Sequence, residues 1–420
     1  MKLPNPFRSH LFGGLTDQAV VSFGNFALSL VLAHQLSRQD YGVFSVALSF
    51  ILFLNLLHQA FITYPLSVRG ASADTCRFQY LLTLAILLTP IFALAVLPVL
   101  GAALLSVGRL DLLPLASFAL VMWQLQEVIR RGMLARTRYR WTIAIDTLRY
   151  LGALGAVVAI ASWVTISDVF LVLTAASFVS IVAAAPVLRF RFAAARAGLS
   201  REIAIHRELG TPVFLANLLL AFSTQWLLWL LAWIKGPAAA ALLAALATVA
   251  AIASPLIFGA ENVIVPEIAR SRDKLTFADL CVLLWRRGGV CLLLAAPLIL
   301  VLMAFPLQVL QGFYGRSSPY VSHPIDLQIL AWAYATYLVS AILGAALRGY
   351  GAREGIFRMQ LYPALFGVVG GTWLTWRYGV SGACTGALCA GLLRAAVGVH
   401  YVRELRRVTP CASTKLAVAS

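Results

Sequence analysis

The sequence predicts an all-α polytopic membrane protein of about twelve transmembrane helices, arranged as two six-helix bundles with pseudo-two-fold symmetry along the membrane normal. Three observations predict it. The 420 residues are 61% hydrophobic and only 12% charged, with a mean hydropathy of +0.87; a soluble domain is about 45–50% apolar and about 25% charged. The apolar residues fall in runs long enough to cross a bilayer. Two short motifs recur on equivalent spans of the two halves.

Twelve spans are read, at 14–36, 42–66, 79–107, 112–134, 142–162, 166–190, 211–235, 238–266, 287–307, 326–347, 356–376 and 380–402. At about 22 residues each they use about 264 positions, leaving about 156 for loops and tails. No soluble domain fits in that remainder. An ATPase, a glycosyltransferase head and a large catalytic loop are thereby excluded within this chain. There is no G-x-x-x-x-G-K-[ST] loop, H-E-x-x-H motif or Cys/His metal spacing, so no cofactor or metal is expected and the protein is not read as an enzyme. The six cysteines form no C-x-x-C pair and none lies in an outer loop, so disulfides are not expected.

The N-terminal bundle is 1–190. Span 1 sets Gln18, Ser22, Asn25 and Ser29 on one face, at intervals of 4, 3 and 4. Asp17 and Gln18 in this first run argue against a cleavable signal peptide. Span 2 carries Ser45, Ser49, Asn55, Gln59 and Thr63, with His58 beside them, and ends Pro65-x-x-x-Arg69. Span 4 carries Glu127 and Arg131, spaced i,i+4, and runs out through Arg131-Gly-x-x-Ala-Arg136. Span 5 carries Asp146 and Arg149, spaced i,i+3 and able to pair on one face. Arg149 is about eight residues in, roughly 12 Å along the helix, too deep for easy snorkelling.

A cytoplasmic linker, 191–210, is basic and helical-looking from Ser200 to Leu209. The C-terminal bundle is 211–402. Span 7 carries Asn217, Thr224 and Gln225; span 8 carries Ser254, Glu261 and Asn262 and ends Pro266-x-x-x-Arg270, matching span 2. Span 10 ends Arg348-Gly-x-x-Ala-Arg353, matching span 4. Arg394 in span 12 is placed to snorkel. A cytoplasmic tail, 403–420, follows. Polar stripes on the equivalent spans 1, 2, 7 and 8 predict a cavity between the halves, lined by Gln18, Asn25, Asn55, His58, Gln59 and Gln225. The competing reading is interhelical hydrogen bonding, worth about 0.6 kcal/mol per contact.

The charge of +17 comes from 33 Lys and Arg against 16 Asp and Glu. With the N-terminus inside, 26 basic residues fall on the cytoplasmic side; Arg38, Arg109, Lys235, Arg316 and Arg377 fall outside. That asymmetry reads as the positive-inside rule, not as nucleic-acid binding, and predicts a multi-pass protein with an even span count and both termini cytoplasmic. Arg69, Arg131, Arg136, Arg270, Arg348 and Arg353 would then ring the cytoplasmic mouth, drawing in an anionic headgroup or anchoring topology.

Several stretches together resemble the bacterial oligosaccharide (O-antigen) flippases of Wzx type. They are Gly14-Leu15-Thr16-Asp17-Gln18-Ala19, Gly24-Asn25, Leu36-Ser37-Arg38-Gln39-Asp40-Tyr41-Gly42, Tyr64-Pro65-Leu66 with Arg69, Arg130-Arg131-Gly132 with Arg136, Arg138 and Arg140, and Asp146 to Tyr150. These flippases form part of the polysaccharide transporter family, within the multidrug/oligosaccharidyl-lipid/polysaccharide exporter superfamily. The likeness is best over residues 1–160. It implies a flippase moving undecaprenyl-diphosphate-linked oligosaccharide from the inner to the outer face of the bacterial cytoplasmic (inner) membrane by alternating access, for surface polysaccharide or lipopolysaccharide biosynthesis. A polysaccharide polymerase and assembly proteins would be its partners, beside the lipid-linked substrate and the bilayer. Lipid II flippases of the superfamily present cavity arginines from spans 1, 2 and 8; Asp17, His58 and Glu261 stand there instead. Arg149 is the first candidate for the diphosphate, since guanidinium binds phosphate oxygens bidentately; the alternative is neutralisation by Asp146.

Transport would draw on the membrane potential, about 2.3 kcal/mol per charge per 100 mV, or on an inward cation. Asp17, Asp146 and Glu261 are the candidate coupling carboxylates. An alternative is a cation-coupled multidrug exporter of the same superfamily, which predicts an apolar, aromatic pocket. A third reading, a glycan polymerase or ligase, would place Arg316, His323 and Asp326, in or next to the outer loop at about 308–325, in an active site.

Overall fold

The computed structural model describes the backbone of residues 5–192, 199–271 and 275–407, and their side chains except at 5–15, 199–201, 253, 256–263 and 266. Among the described residues every regular element is helical. The elements are α1 (Asn5–Gln35), α2 (Arg38–Ser72), α3 (Thr75–Ser106), α4 (Leu113–Ala135), α5 (Tyr139–Ala159) and α6 (Ile166–Ala184). There follow α7 (Leu199–Thr224), α8 (Trp226–Lys235), α9 (Pro237–Ala250), α10 (Ser254–Ser271) and α11 (Phe277–Ala304). The last are α12 (Pro306–Tyr314), α13 (Pro324–Tyr350), α14 (Arg353–Phe366) and α15 (Thr372–Glu404).

All twelve predicted spans fall on these helices, and the chain is an all-α, multi-pass protein. Spans 1 to 6 are α1 to α6. Span 7 is interrupted at Gln225, between α7 and α8. Span 8 is α9 and α10 joined by a tight turn at Ala251–Ala253. Spans 9 and 10 are α11 and α13. Spans 11 and 12 run as one helical stretch that bends sharply at Gly379, where φ is 60° and ψ is −127°. That conformation suits glycine and lies in the short gap left between the two apolar runs.

Polar caps start the helices where the apolar runs begin. Ser37 accepts from the Asp40 amide at 3.0 Å, and Asp74 from the Arg77 amide at 2.8 Å. Thr165 with Asp168, and Thr276 with Asp279, form reciprocal capping boxes at α6 and α11. Among the described residues, single π-turns interrupt the long helices at Gln59–Thr63 in α2, Thr147–Leu151 in α5, and Gly367–Gly371 before α15. Such turns are rare and cluster at functional sites.

The chain packs as two units. Met1–Ala221 with Lys235–Ala241 form the first, Phe222–Ile234 with Leu242–Ser420 the second. In the first, α5 packs on α1, α4 and α6, and α2 on α3 and α4. Its core includes Ile62, Leu66, Leu82, Leu84 and Val128. In the second, α13 is central, against α10, α11 and α15, with Ile264, Ile268, Leu280, Leu338 and Leu347 buried between them. Leucines are also turned outward, such as Leu94 at 67% and Leu293 at 73% exposure. In a bilayer these face acyl chains.

The glycine of the repeated Arg-Gly-x-x-Ala-Arg motif is a close helix contact in both units. A Cβ on Gly132 would stand 3.0 Å from Leu82, and one on Gly349 only 2.6 Å from the Ile268 Cβ. The motif therefore has a packing role besides its charges.

The linker helix is part of the first unit because it is bonded to α2. Glu202 accepts from Arg69 at 2.5 and 3.2 Å and from Arg77 at 3.1 Å. His206 bonds the Phe61 carbonyl at 2.7 Å, and Asn217 donates to the Leu56 carbonyl at 2.7 Å. These carbonyls flank or lie within the π-turn of α2.

Candidate functional site

The first unit encloses a cluster of charged side chains drawn from α1, α4 and α5. Its hub is Arg130 on α4. Arg130 Nε donates to Asp146 Oδ2 at 2.5 Å, and Nη2 donates to Asp17 Oδ2 at 2.5 Å. Nη1 lies 3.4 Å from Glu127, which also takes Arg131 Nε at 2.6 Å, the i,i+4 pair expected from spacing. The side chains of Asp146, Asp17 and Arg130 are 0%, 5% and 11% exposed. Asp17 Oδ1 is buried and has no hydrogen-bond partner among the described residues.

Asp146 and Arg149 do not form the direct pair that i,i+3 spacing predicts. Arg149 sits inside the π-turn, whose wider turn takes it out of register with Asp146. The Gln126 amide bridges them instead. Its Nε2 donates to Asp146 Oδ1 at 2.9 Å, and its Oε1 accepts from Arg149 Nη1 at 2.9 Å. Arg149 Nη1 also reaches the Tyr150 hydroxyl at 3.0 Å. The guanidinium lies 4.0 Å from the Trp123 ring centroid and 4.6 Å from that of Tyr150, both favourable cation–π distances.

Chemically, Asp17, Arg130 and Asp146 put two carboxylates on one guanidinium, away from water. With both carboxylates ionised the triad carries one negative charge in excess, and with one proton bound it is neutral. A charge inside a span costs about 2.5–3.5 kcal/mol even on insertion scales, so the arrangement needs its partners. A site of this kind can hold a proton or another cation, and Asp17 Oδ1 is an unused acceptor for it.

The other predicted residues are placed as follows. Gln18 donates to Ser22 at 3.3 Å, a contact within α1. Asn25 is exposed on the same helix. Asn55 is half-buried, and both its amide atoms lack a hydrogen-bond partner among the described residues. Gln59 opens the π-turn of α2, half-buried. His58 lies inside the α2–α3 contact, 3.1 Å from the Thr89 hydroxyl and edge-on to Phe92. Gln225 is half-buried at the break between α7 and α8. The side chain of Glu261 lies outside the described residues, as does most of the 403–420 tail.

Of the predicted basic ring, Arg69 is taken by Glu202 and Arg131 by Glu127. Arg136 donates to the Ala73 carbonyl. In the second unit Arg270 and Arg353 are exposed and Arg348 is half-buried. Arg394 does not snorkel. It is buried, with Nη2 2.6 Å from the Ser223 hydroxyl and its guanidinium 5.0 Å from the Tyr337 ring centroid. His323 pairs with Asp326 at 2.8 Å, while Arg316 is exposed in the preceding turn.

Sequence reasoning missed Arg130, Gln126, Trp123 and Tyr150. A signal was present. Gln126 and Arg130 are spaced i,i+4 on α4, so they share a face.

No family model and no curated protein sequence matches the chain. Solved structures do. A multidrug resistance MATE family transporter of the MOP superfamily, in an inward-facing conformation, superposes with a TM-score of 0.73 at 14% identity, over 94% of this chain and 96% of that one. A variant of the Vibrio cholerae MATE transporter VcmN gives 0.65 at 15% identity, over 95% and 97%. A MOP superfamily transporter from Pyrococcus furiosus, whose reversed pocket polarity suggests a different function, gives 0.63 at 14%, over 94% and 95%. The chain is similar to these in fold.

Proposed function

We propose that this chain is a cation-coupled secondary transporter that exports amphipathic or cationic small molecules. The observation that carries the reading is the pair of buried carboxylates, Asp17 and Asp146, held on Arg130. Their excess negative charge is met in turn by a proton and by a cationic substrate, so binding of one favours release of the other. The fold likeness to multidrug transporters supports the reading. Cytoplasmic placement of both termini belongs to the same proposal and rests on the loop-charge asymmetry, and an inner-membrane location rests on the resemblance given above.

The test is efflux of a cationic dye from proteoliposomes under an imposed proton gradient. Asp17→Asn and Asp146→Asn are expected to abolish gradient-driven efflux while the protein still purifies as a folded monodisperse species. Unchanged efflux in both variants sinks the reading.

A specific observation favours a second reading, the flippase of diphosphate-linked oligosaccharide. Arg149 and Arg394 are buried guanidiniums stacked on tyrosine, and neither is hydrogen-bonded to a carboxylate among the described residues. Each would suit a phosphate oxygen. On this reading, the chain restores surface polysaccharide to a strain lacking its flippase, and Arg149→Ala loses that export at normal protein level.

A further inference from the structure

At one end of the first unit, α3, the α4–α5 turn and the segment after α6 enclose a cavity of about 300 Å³. Three of its nine lining residues are arginines, Arg136, Arg138 and Arg189, and none is acidic. Phe78, Leu82 and Leu188 form an apolar wall beside them.

Two of the guanidiniums are fixed from behind by backbone carbonyls. Arg136 Nη1 donates to Ala73 at 2.8 Å, and its guanidinium stacks 5.2 Å from the Phe78 centroid. Arg138 Nη1 donates to Val187 at 3.1 Å. A guanidinium has five N–H donors, so each retains several for another acceptor. Arg189 is exposed and makes no hydrogen bond among the described residues. Three like charges around one hollow repel one another, and an anion between them relieves that repulsion.

The chain after α6 sets the depth of this hollow. It reads Val187-Leu188-Arg189-Phe190-Arg191-Phe192 and is extended at Leu188, with φ −105° and ψ 143°. The Phe190 and Phe192 rings lie 5.7 Å apart, both exposed. Trp141, at the start of α5, is exposed as well. Exposed tryptophan is enriched at the membrane–water interface, and arginines in the loops beside it. Basic pockets between helices at that depth bind anionic lipid headgroups.

We propose that this cavity binds the phosphate headgroup of an anionic phospholipid, with its acyl chains along the apolar wall. The inference stands independently of the transported substrate.

The experiment uses the full chain, delipidated in detergent, and measures lipid retention by native mass spectrometry together with the melting temperature. The probes are phosphatidylglycerol, phosphatidylcholine and inorganic phosphate. Phosphatidylglycerol is expected to be retained and to raise the melting temperature; phosphatidylcholine and inorganic phosphate are not. Arg189→Gln, at an exposed side chain, is expected to weaken phosphatidylglycerol binding about fivefold. Arg138→Gln should do the same, and Arg316→Gln, in an exposed turn of the other unit, should not. Equal retention of the two lipids overturns the proposal, as does wild-type binding by both Arg189→Gln and Arg138→Gln. Inorganic phosphate stabilising as strongly as phosphatidylglycerol overturns the lipid assignment in favour of the free anion.

Discussion

Replacing Arg130 with Gln removes the guanidinium that Asp17 and Asp146 share. Asp146 then keeps the Gln126 amide at 2.9 Å, and Asp17 is left without a cation. Exposures of 5% and 0% for the two carboxylates place them with buried ion pairs rather than surface ones. Breaking a buried pair by deleting one partner costs about 3–5 kcal/mol. In a unit of this size each kcal/mol moves the melting point by about 2–4 °C, so a fall of about 10 °C is expected. Thermal unfolding in detergent, followed by tryptophan fluorescence, reads it, with Trp123 beside the cluster as a local reporter. The triple variant Asp17→Asn, Arg130→Gln, Asp146→Asn should recover much of the loss, because no bare charge stays behind. The reasoning is refuted if Arg130→Gln melts within about 2 °C of the native protein, or if the triple variant melts below it.

Glu202→Ala removes three charge-assisted bonds to Arg69 and Arg77. It should cost about 2–3 kcal/mol and raise hydrogen exchange across 202–217, which mass spectrometry can follow. Gly349→Val places a branched side chain where even a Cβ stands 2.6 Å from Ile268. A loss of about 1–3 kcal/mol is expected, partly relieved by Ile268→Ala, and equal melting of the single and double variants would contradict the contact. Ser37→Cys and Ser317→Cys, made without the exposed Cys76 and Cys281, should both react with an impermeant thiol reagent applied from outside. Protection of both would invert the orientation inferred from loop charge.

The spans were legible because a bilayer leaves a long apolar run few options besides a helix. The bend at Gly379 was legible for a related reason, since the apolar pattern pauses there. The Glu127–Arg131 pair was legible because it is local. The hub was not. Arg130 meets Asp17 across 113 residues and Asp146 across 16, and no periodicity carries such distances. Beside Arg131 it looked like one more topology anchor. The expected Asp146–Arg149 pair failed because spacing rules assume a regular helix, and nothing in Thr147–Leu151 announces a π-turn. His58 shared the polar side of α2 by spacing, yet Thr89 and Phe92 of α3 claim its ring. The 191–210 stretch read as a linker by composition; α7 begins within it, and Glu202, His206 and Asn217 fasten that helix to α2.

The widened turn at Thr147–Leu151 bears on how this chain is compared with others. A π-turn accommodates one residue more than the α-helix around it. Deleting a single residue there would restore an ordinary helix while leaving the segments on either side facing as they do now, because the widened turn absorbs the roughly 100° that one extra residue adds. Asp146 and the far half of α5 would keep their present neighbours, and what would change is the direction in which Arg149 leaves the helix. Alignments of this chain with proteins of similar fold should therefore admit a one-residue gap in the middle of this helix, and a relative lacking that residue should be expected to carry its deep arginine elsewhere.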